Sequence, residues 1–299
     1  MTSTTQKIGF IGIGMMGYPM ASRLHQARDA LMVLDAAPAT VKRFIDAHPD
    51  AVAVTGAEAF ANADVVITML PNSDIVDATV LGAANQRGLI DILQKGATVI
   101  DMSSSQPMRS KALASALRER GLHFLDAPVS GGVKRAVDGS LAIMVGGEQT
   151  QFDAQVALFK EMGKVVTHVG PAGAGHAVKA LNNYVSAAGL VAAAEALLVA
   201  QKFGLDPAIV TDVFNNSTGK NNSTENKAKQ FMLSGAFNSG FSLQLMAKDL
   251  GIAMNLGESV GRSMPLGQET LRLWSDAAAK LDRAADHTEM YRYLQEIED

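Results

Sequence analysis

The sequence predicts an α/β fold: a doubly wound sheet of parallel strands over residues 1–170, followed by an all-α domain over residues 171–299 and joined to it through one long helix. Three observations predict this. Between Lys7 and Gly170, eight short apolar, β-rich runs alternate with helix-like segments, the pattern of repeated strand–helix units. Several of the runs, Val65 to Leu70 and Thr98 to Met102 among them, are close to continuously apolar, as strands buried on both faces require. After Pro171 the strand-like runs stop and nearly everything has helical character.

Each element follows in order. KIGFIGIG ends in a glycine-rich turn before an amphipathic helix, ALMVLDA ends at Asp35, and AVAVTG is a short third run. ADVVITMLP ends at Leu70 and Pro71, GATVIDMSS at Ser103 and Ser104, and LHFLDAPVSGG at Ser130, Gly131 and Gly132. SLAIMVGG and KVVTHVG complete the set, and a long apolar helix then runs from about His176 to Phe203, stopped by Gly204 before Pro207. In open α/β sheets ligands bind outside the carboxyl ends of the strands, so these run ends are the positions where chemistry is expected.

Composition removes several function classes. There are 26 basic and 30 acidic residues, a formal net charge of -4, and no Lys/Arg run; this argues against a nucleic-acid partner. The chain has no Cys, and its six histidines stand at no metal-ligand spacing, which leaves no thiolate chemistry and no expected metal. The N-terminal MTSTTQK has neither the basic nor the apolar region of a leader, so a cytoplasmic location is expected. Tyr184 to Ala200 is the most membrane-like stretch, but Glu195 interrupts it and it is short for a span; it is expected to be a core helix.

Gly12, Gly14 and Gly17 stand in G-x-G-x-x-G spacing after a strand and before a helix. That arrangement gives a tight turn, a bare backbone for a pyrophosphate, and close packing of helix on strand. Met15 and Met16 fill the turn, and Asp35 follows 23 positions after Gly12, where an acid accepts hydrogen bonds from the adenosine ribose. Dinucleotide binding is therefore expected through these six residues. Asp35 repels a 2′-phosphate and AAPAT after it offers no arginine, so NAD is favoured over NADP, although Lys42 and Arg43 lie nearby in sequence.

Five motifs in order then carry a resemblance: the glycine turn, the Leu70-Pro71 pair, DAPVSGG at 126–132, GAGHAVKALNN at 173–183 and AKDLGIA at 247–253. Over almost its whole length the chain resembles the β-hydroxyacid dehydrogenases, in the group of 3-hydroxyisobutyrate dehydrogenase and tartronate semialdehyde reductase. The resemblance implies a Rossmann-type domain joined by a long helix to an all-α domain, with the active site in the cleft between them. It implies Lys179 as the catalytic residue, Asn183 as a substrate contact, and Ser130, Gly131 and Gly132 as the carboxylate site. It places Leu70, Pro71, Ser103 and Ser104 beside the nicotinamide, brings Lys248 over the cofactor, and gives His176 no role. A homodimer or homotetramer is expected. The spacing agrees, since Lys179 and Asn183 are i and i+4 on one helix face, and desolvation eases proton release by a lysine there.

The activity expected is interconversion of a short 3-hydroxy acid and its semialdehyde. An imine reductase of the same architecture and a non-catalytic nucleotide-binding interaction module are the alternatives; Lys179 counts against both. A 6-phosphogluconate-type decarboxylating enzyme would need a longer helical domain than 171–299. Two features stay open. Lys134 and Arg135 stand where the family often has glycine before the alanine, leaving Arg135 either to solvent or to a second anionic contact. The polar run Asn215 to Lys227 is either a capped, solvated loop or a pocket lining.

Overall fold

The computed structural model of the chain describes residues 6–27, 31–84 and 86–298; most of the N-terminal stretch examined for a leader lies outside them. The chain divides into two compact units, Met1–Lys179 and Ala180–Asp299. The division falls inside a helix, past the change of sequence pattern near residue 170. The first turns of that helix pack on unit one, where a Cβ on Gly175 would collide with the Met144 and Asp126 carbonyl oxygens.

In unit one the strands are β1 (Ile8–Ile11), β2 (Leu31–Leu34), β3 (Val52–Ala53), β4 (Val65–Thr68), β5 (Gly82–Ala83), β6 (Gln86–Arg87), β7 (Thr98–Asp101), β8 (His123–Asp126), β9 (Val129–Ser130), β10 (Leu141–Gly147) and β11 (Gly163–Gly170). The helices between them are α1 (Gly17–Ala27), α2 (Pro38–Ala47), α3 (Ser73–Leu81), α4 (Leu89–Ile92), α5 (Pro107–Glu119), α6 (Gly132–Asp138) and α7 (Gln149–Met162). The main sheet has the order β11-β10-β8-β7-β4-β1-β2-β3, with β9 beside β10; β5 and β6 form a separate ribbon.

The continuously apolar runs have their physical reason in two cores. In β4, Val65 and Ile67 enter one cluster with Phe10, Leu24 and Phe44, while Val66 enters another with Phe60, Val80 and Leu113. Successive side chains point to opposite faces, so a strand covered by helices on both sides needs apolar residues throughout. In the main sheet β3, β2, β1, β4, β7 and β8 are parallel. At β10 the direction reverses, antiparallel to both β8 and β9. The linking α6 has seven residues, about 10 Å of helix, shorter than the crossover that would carry the chain back along β8 to start a parallel strand.

The remaining helices are α8 (Ala174–Phe203), which runs through the division, and α9 (Pro207–Asn215), α10 (Asn222–Asn226), α11 (Leu243–Ser259), α12 (Pro265–Lys280) and α13 (Met290–Glu298). On α8, Ala187, Leu190, Val191, Ala194, Leu197 and Leu198 recur at helical spacing and pack in unit two with Leu250, Trp274 and Met290. By length and composition alone α8 could cross a membrane; the burial of this face makes it the core helix of unit two.

Candidate active site

The glycine turn is built by close approach. Gly12 follows β1 at φ 93° and donates its N–H to the Leu34 carbonyl at 2.8 Å. Gly17 opens α1, and a Cβ there would collide with the Gly12 carbonyl oxygen. At Gly14 a Cβ would meet nothing within 4 Å, so the backbone there is open to close approach, as a pyrophosphate requires. Met15 is exposed and Met16 packs against the core. The turn has the features of a pyrophosphate cradle.

Asp35 follows β2 directly, with its carboxylate already in use. Oδ2 accepts the Ile13 N–H and Oδ1 the Ala37 N–H, each at 2.8 Å. It thus ties the glycine turn to the second strand, and a carboxylate with about four acceptor sites keeps capacity for ribose hydroxyls. The two nearby cations are engaged: Lys42 pairs with Asp46 at 2.7 Å, and the Arg43 guanidinium lies 4.5 Å from the centre of the Tyr18 ring.

The sheet order separates the two halves of a bound dinucleotide. With the pyrophosphate over the end of β1 and the ribose acid at β2, the other nucleotide would run over β4 and β7, on the opposite side of β1. Leu70, Pro71, Ser103 and Ser104 follow those two strands. Leu70 donates its N–H to the buried Ser103 hydroxyl at 2.8 Å. Asp101 braces the loop from below, accepting from the Ser103 N–H (3.0 Å), the Ser105 hydroxyl (2.7 Å) and the Thr68 hydroxyl (3.0 Å).

Ser130 ends β9, and Gly131 and Gly132 follow at φ 135° and 68°, a conformation side chains strain to adopt. Arg135 and Lys134 are exposed on α6, and the Arg135 side chain lies directly over Gly131. The methylene stem of Arg135 therefore covers Gly131.

On α8, Lys179 is half-buried and Asn183, one turn on, is buried. Within unit two, Asn183 Nδ2 donates to Asp249 Oδ2 at 2.6 Å. The carboxylate decides which way the amide faces, so Asn183 Oδ1 is its acceptor, and it takes a hydrogen bond from Asn182 at 3.1 Å. Lys248 lies 3.6 Å from Asp249 Oδ1. Sequence reasoning took Lys248 from this motif and passed over Asp249. A signal was available: Met246, Asp249, Leu250 and Ala253 form the buried stripe of α11, and an acid on an apolar stripe needs a partner.

The polar run 215–227 contains a helix cap and also packs on α8. Asn221 caps α10, accepting from the Ser223 and Thr224 N–H groups in a capping box. Its amide donates to the Gly189 carbonyl at 3.2 Å. Lys227 reaches α8 as well, with Nζ 3.4 Å from the Ser186 hydroxyl; burial lowers this ammonium to about 8, against the opposing pull of Asp286. Lys179, Asn183 and Ser186 follow i, i+4, i+7 spacing, so this cation sits by the same face of α8. Among the described residues no group of three or more His, Asp or Glu could hold a metal ion.

Comparison with known proteins places these features in context. Residues 7–170 match the family described as the NAD-binding domain of 6-phosphogluconate dehydrogenase, and residues 173–294 the NAD-binding domain of NADP-dependent 3-hydroxyisobutyrate dehydrogenase. The chain is 36% identical to the 2-(hydroxymethyl)glutarate dehydrogenase of Eubacterium barkeri over 87% of this chain and 85% of that one. It is 36% identical to the NAD-dependent L-serine dehydrogenase of Pseudomonas aeruginosa over 90% of this chain and 91% of that one. Among solved structures, Mycobacterium tuberculosis 3-hydroxyisobutyrate dehydrogenase with L-serine superposes with a TM-score of 0.89 at 31% identity, covering 98% of this chain and 100% of that one.

Proposed function

The chain belongs to the β-hydroxyacid dehydrogenase family, and from that premise we propose that it interconverts a short 3-hydroxy acid and its semialdehyde using NAD. The observation that carries the reading is the pair Lys179 and Asn183 on one helix face, in a chain that also has the cleared Gly14 turn and the ribose acid Asp35. Bound NAD supplies the hydride acceptor; the protein supplies position and a proton path. The glycine turn, Met15, Met16 and Asp35 hold the pyrophosphate and adenosine. Leu70, Pro71, Ser103, Ser104 and Lys248 serve the nicotinamide side.

Ser130, Gly131 and Gly132 take the substrate carboxylate, and Asn183 Oδ1, whose amide is oriented by Asp249, accepts a hydrogen bond from the hydroxyl. Lys179 moves the proton: as ammonium it donates to the carbonyl oxygen in reduction, and as amine it takes the hydroxyl proton in oxidation. No metal and no nucleic-acid or membrane partner is part of this reading, and the reaction is placed in the cytoplasm. NAD is preferred to NADP because Asp35 follows β2 while Lys42 and Arg43 are held by Asp46 and Tyr18.

The test is reduction of NAD, with NADP in parallel, by 3-hydroxyisobutyrate, serine, glycerate, 3-hydroxypropionate and a dicarboxylic 3-hydroxy acid. Turnover of at least one with NAD preferred is the expected result; the dicarboxylic acid tests the cation at Arg135. Turnover of none by protein that binds NADH would sink the proposal in favour of an imine substrate or a non-catalytic role.

A homo-oligomer completes the proposal. Val178, Val185 and Val199 are exposed at multiples of seven residues along α8, the latter two at 68% and 65%, an apolar stripe of the kind that a second copy covers. Light scattering should return a dimer or tetramer mass, and a monomer at micromolar concentration would remove this part.

A further inference from the structure

His176 is buried in the first turns of α8, three residues before Lys179. Its groups join three elements of unit one. Nδ1 lies 2.7 Å from the Ser110 hydroxyl on α5, and Nε2 lies 3.0 Å from the Ser103 carbonyl oxygen beyond β7. Its backbone N–H donates to Asp126 Oδ2 at the end of β8, at 2.9 Å. A carbonyl oxygen can only accept, so Nε2 carries a hydrogen and donates to Ser103; Nδ1 is bonded to the Ser110 hydroxyl, which also reaches the Gln106 carbonyl oxygen at 3.3 Å. Asp101 and Asp126 stand 3.8 and 3.7 Å from the ring nitrogens, beyond hydrogen-bond range, and their oxygens are occupied by Thr68, Ser103, Ser105 and Gly173. The imidazole is thus a buried linker with both ring nitrogens in use.

What it links is the reason to assign it a role. Ser103 is held by its carbonyl to His176, while its hydroxyl receives the Leu70 N–H. A continuous path therefore runs from the start of α8 through Ser103 to Leu70, from the helix that carries Lys179 to the ends of β7 and β4. Proton transfer and hydride transfer act on the same carbonyl group of one substrate, so both donors must be in register, and a displacement of about 1 Å costs on the order of 10²-fold in rate.

We propose that His176 is a positioning residue for hydride transfer: its imidazole holds the Ser103–Leu70 edge, and with it the nicotinamide side of the cofactor, in register with Lys179. This rests on the hydride-transfer reading above. His176 itself does not exchange a proton with substrate, since both ring nitrogens are committed inside the core.

The experiment compares wild type with His176→Ala, His176→Gln and Ser110→Ala, measuring steady-state kinetics with NAD and the best hydroxy acid, binding of NADH and of ADP-ribose, and thermal unfolding. His176→Ala should lower kcat by about 10- to 100-fold with little change in KM for the acid. NADH binding should weaken by about five- to tenfold while ADP-ribose, which lacks the nicotinamide, stays within about twofold. The glutamine amide can still donate to the Ser103 carbonyl, so His176→Gln should recover most of kcat. A ring that only fills space would lower the unfolding temperature and leave kcat per folded molecule and the NADH to ADP-ribose ratio unchanged, and that result overturns the inference. If His176→Ala does not fold, Ser110→Ala releases one side of the ring without emptying the core; an unchanged ratio and kcat there overturn it equally. The ratio is read without turnover, so a wild type inactive on every hydroxy acid removes the proposed reaction, whereas an unchanged ratio removes the role of His176.

Discussion

Replacing Lys179 with alanine should lower kcat by about 10³-fold in both directions, the scale of a lost general acid/base, while NADH binding stays within about twofold. The substitution sits at a half-buried position on α8, so little packing is lost and unfolding should move only slightly. Lys179→Arg sharpens the result. A guanidinium keeps the positive charge but does not release its proton in proteins, so a role in proton transfer predicts an arginine variant almost as inactive as alanine in oxidation. A purely electrostatic role predicts substantial activity in that variant. Stopped-flow measurement of NADH formation, with NADH titration by fluorescence on the same samples, separates the two. Retention of more than about a tenth of wild-type kcat by the alanine variant would exclude Lys179 as the proton donor.

The second large effect is expected at the glycine turn, where two glycines are required for different reasons. At Gly17 a Cβ would collide with the Gly12 carbonyl oxygen and come within 3.2 Å of the Phe10 ring. The carbonyl is backbone, so the turn itself must shift, and overpacking of this kind costs about 1–3 kcal/mol. Gly17→Ala should therefore lose stability by roughly that amount and weaken NADH by about 100-fold as the cradle distorts. At Gly14 a Cβ meets open space, so Gly14→Ala should unfold like wild type while its methyl group stands where the pyrophosphate approaches. Calorimetry and NADH titration on the two variants test this directly. Equal stability losses at both positions, or unchanged NADH affinity at Gly14, would show that the turn is only a tight connection between β1 and α1.

Much of this molecule was legible in its sequence. The strands buried on both faces, the turn at Gly12 to Gly17, the acid after the second strand and the spacing of Lys179 and Asn183 are all local patterns, imposed by the period of a strand or helix and by the few residues that tolerate a sharp turn. The reversal of β10 was not foreseen, because it depends on the length of α6 relative to the strand beside it. Nor was the end of the polar run, where Lys227 crosses to Ser186, 41 residues away in sequence.

By itself the sequence determined the fold class, the dinucleotide turn and the helix face on which chemistry is proposed. Only the tertiary structure decided how those parts are held. Asn183 is oriented by Asp249, 66 residues away, and the Ser103 loop is tied to α8 by His176, 73 residues away. Such contacts have no periodicity to read, because packing of separate elements, and not spacing along the chain, brings their atoms together. A buried amide or imidazole must find a partner once water is gone, and which partner it finds is known only when the chain has folded.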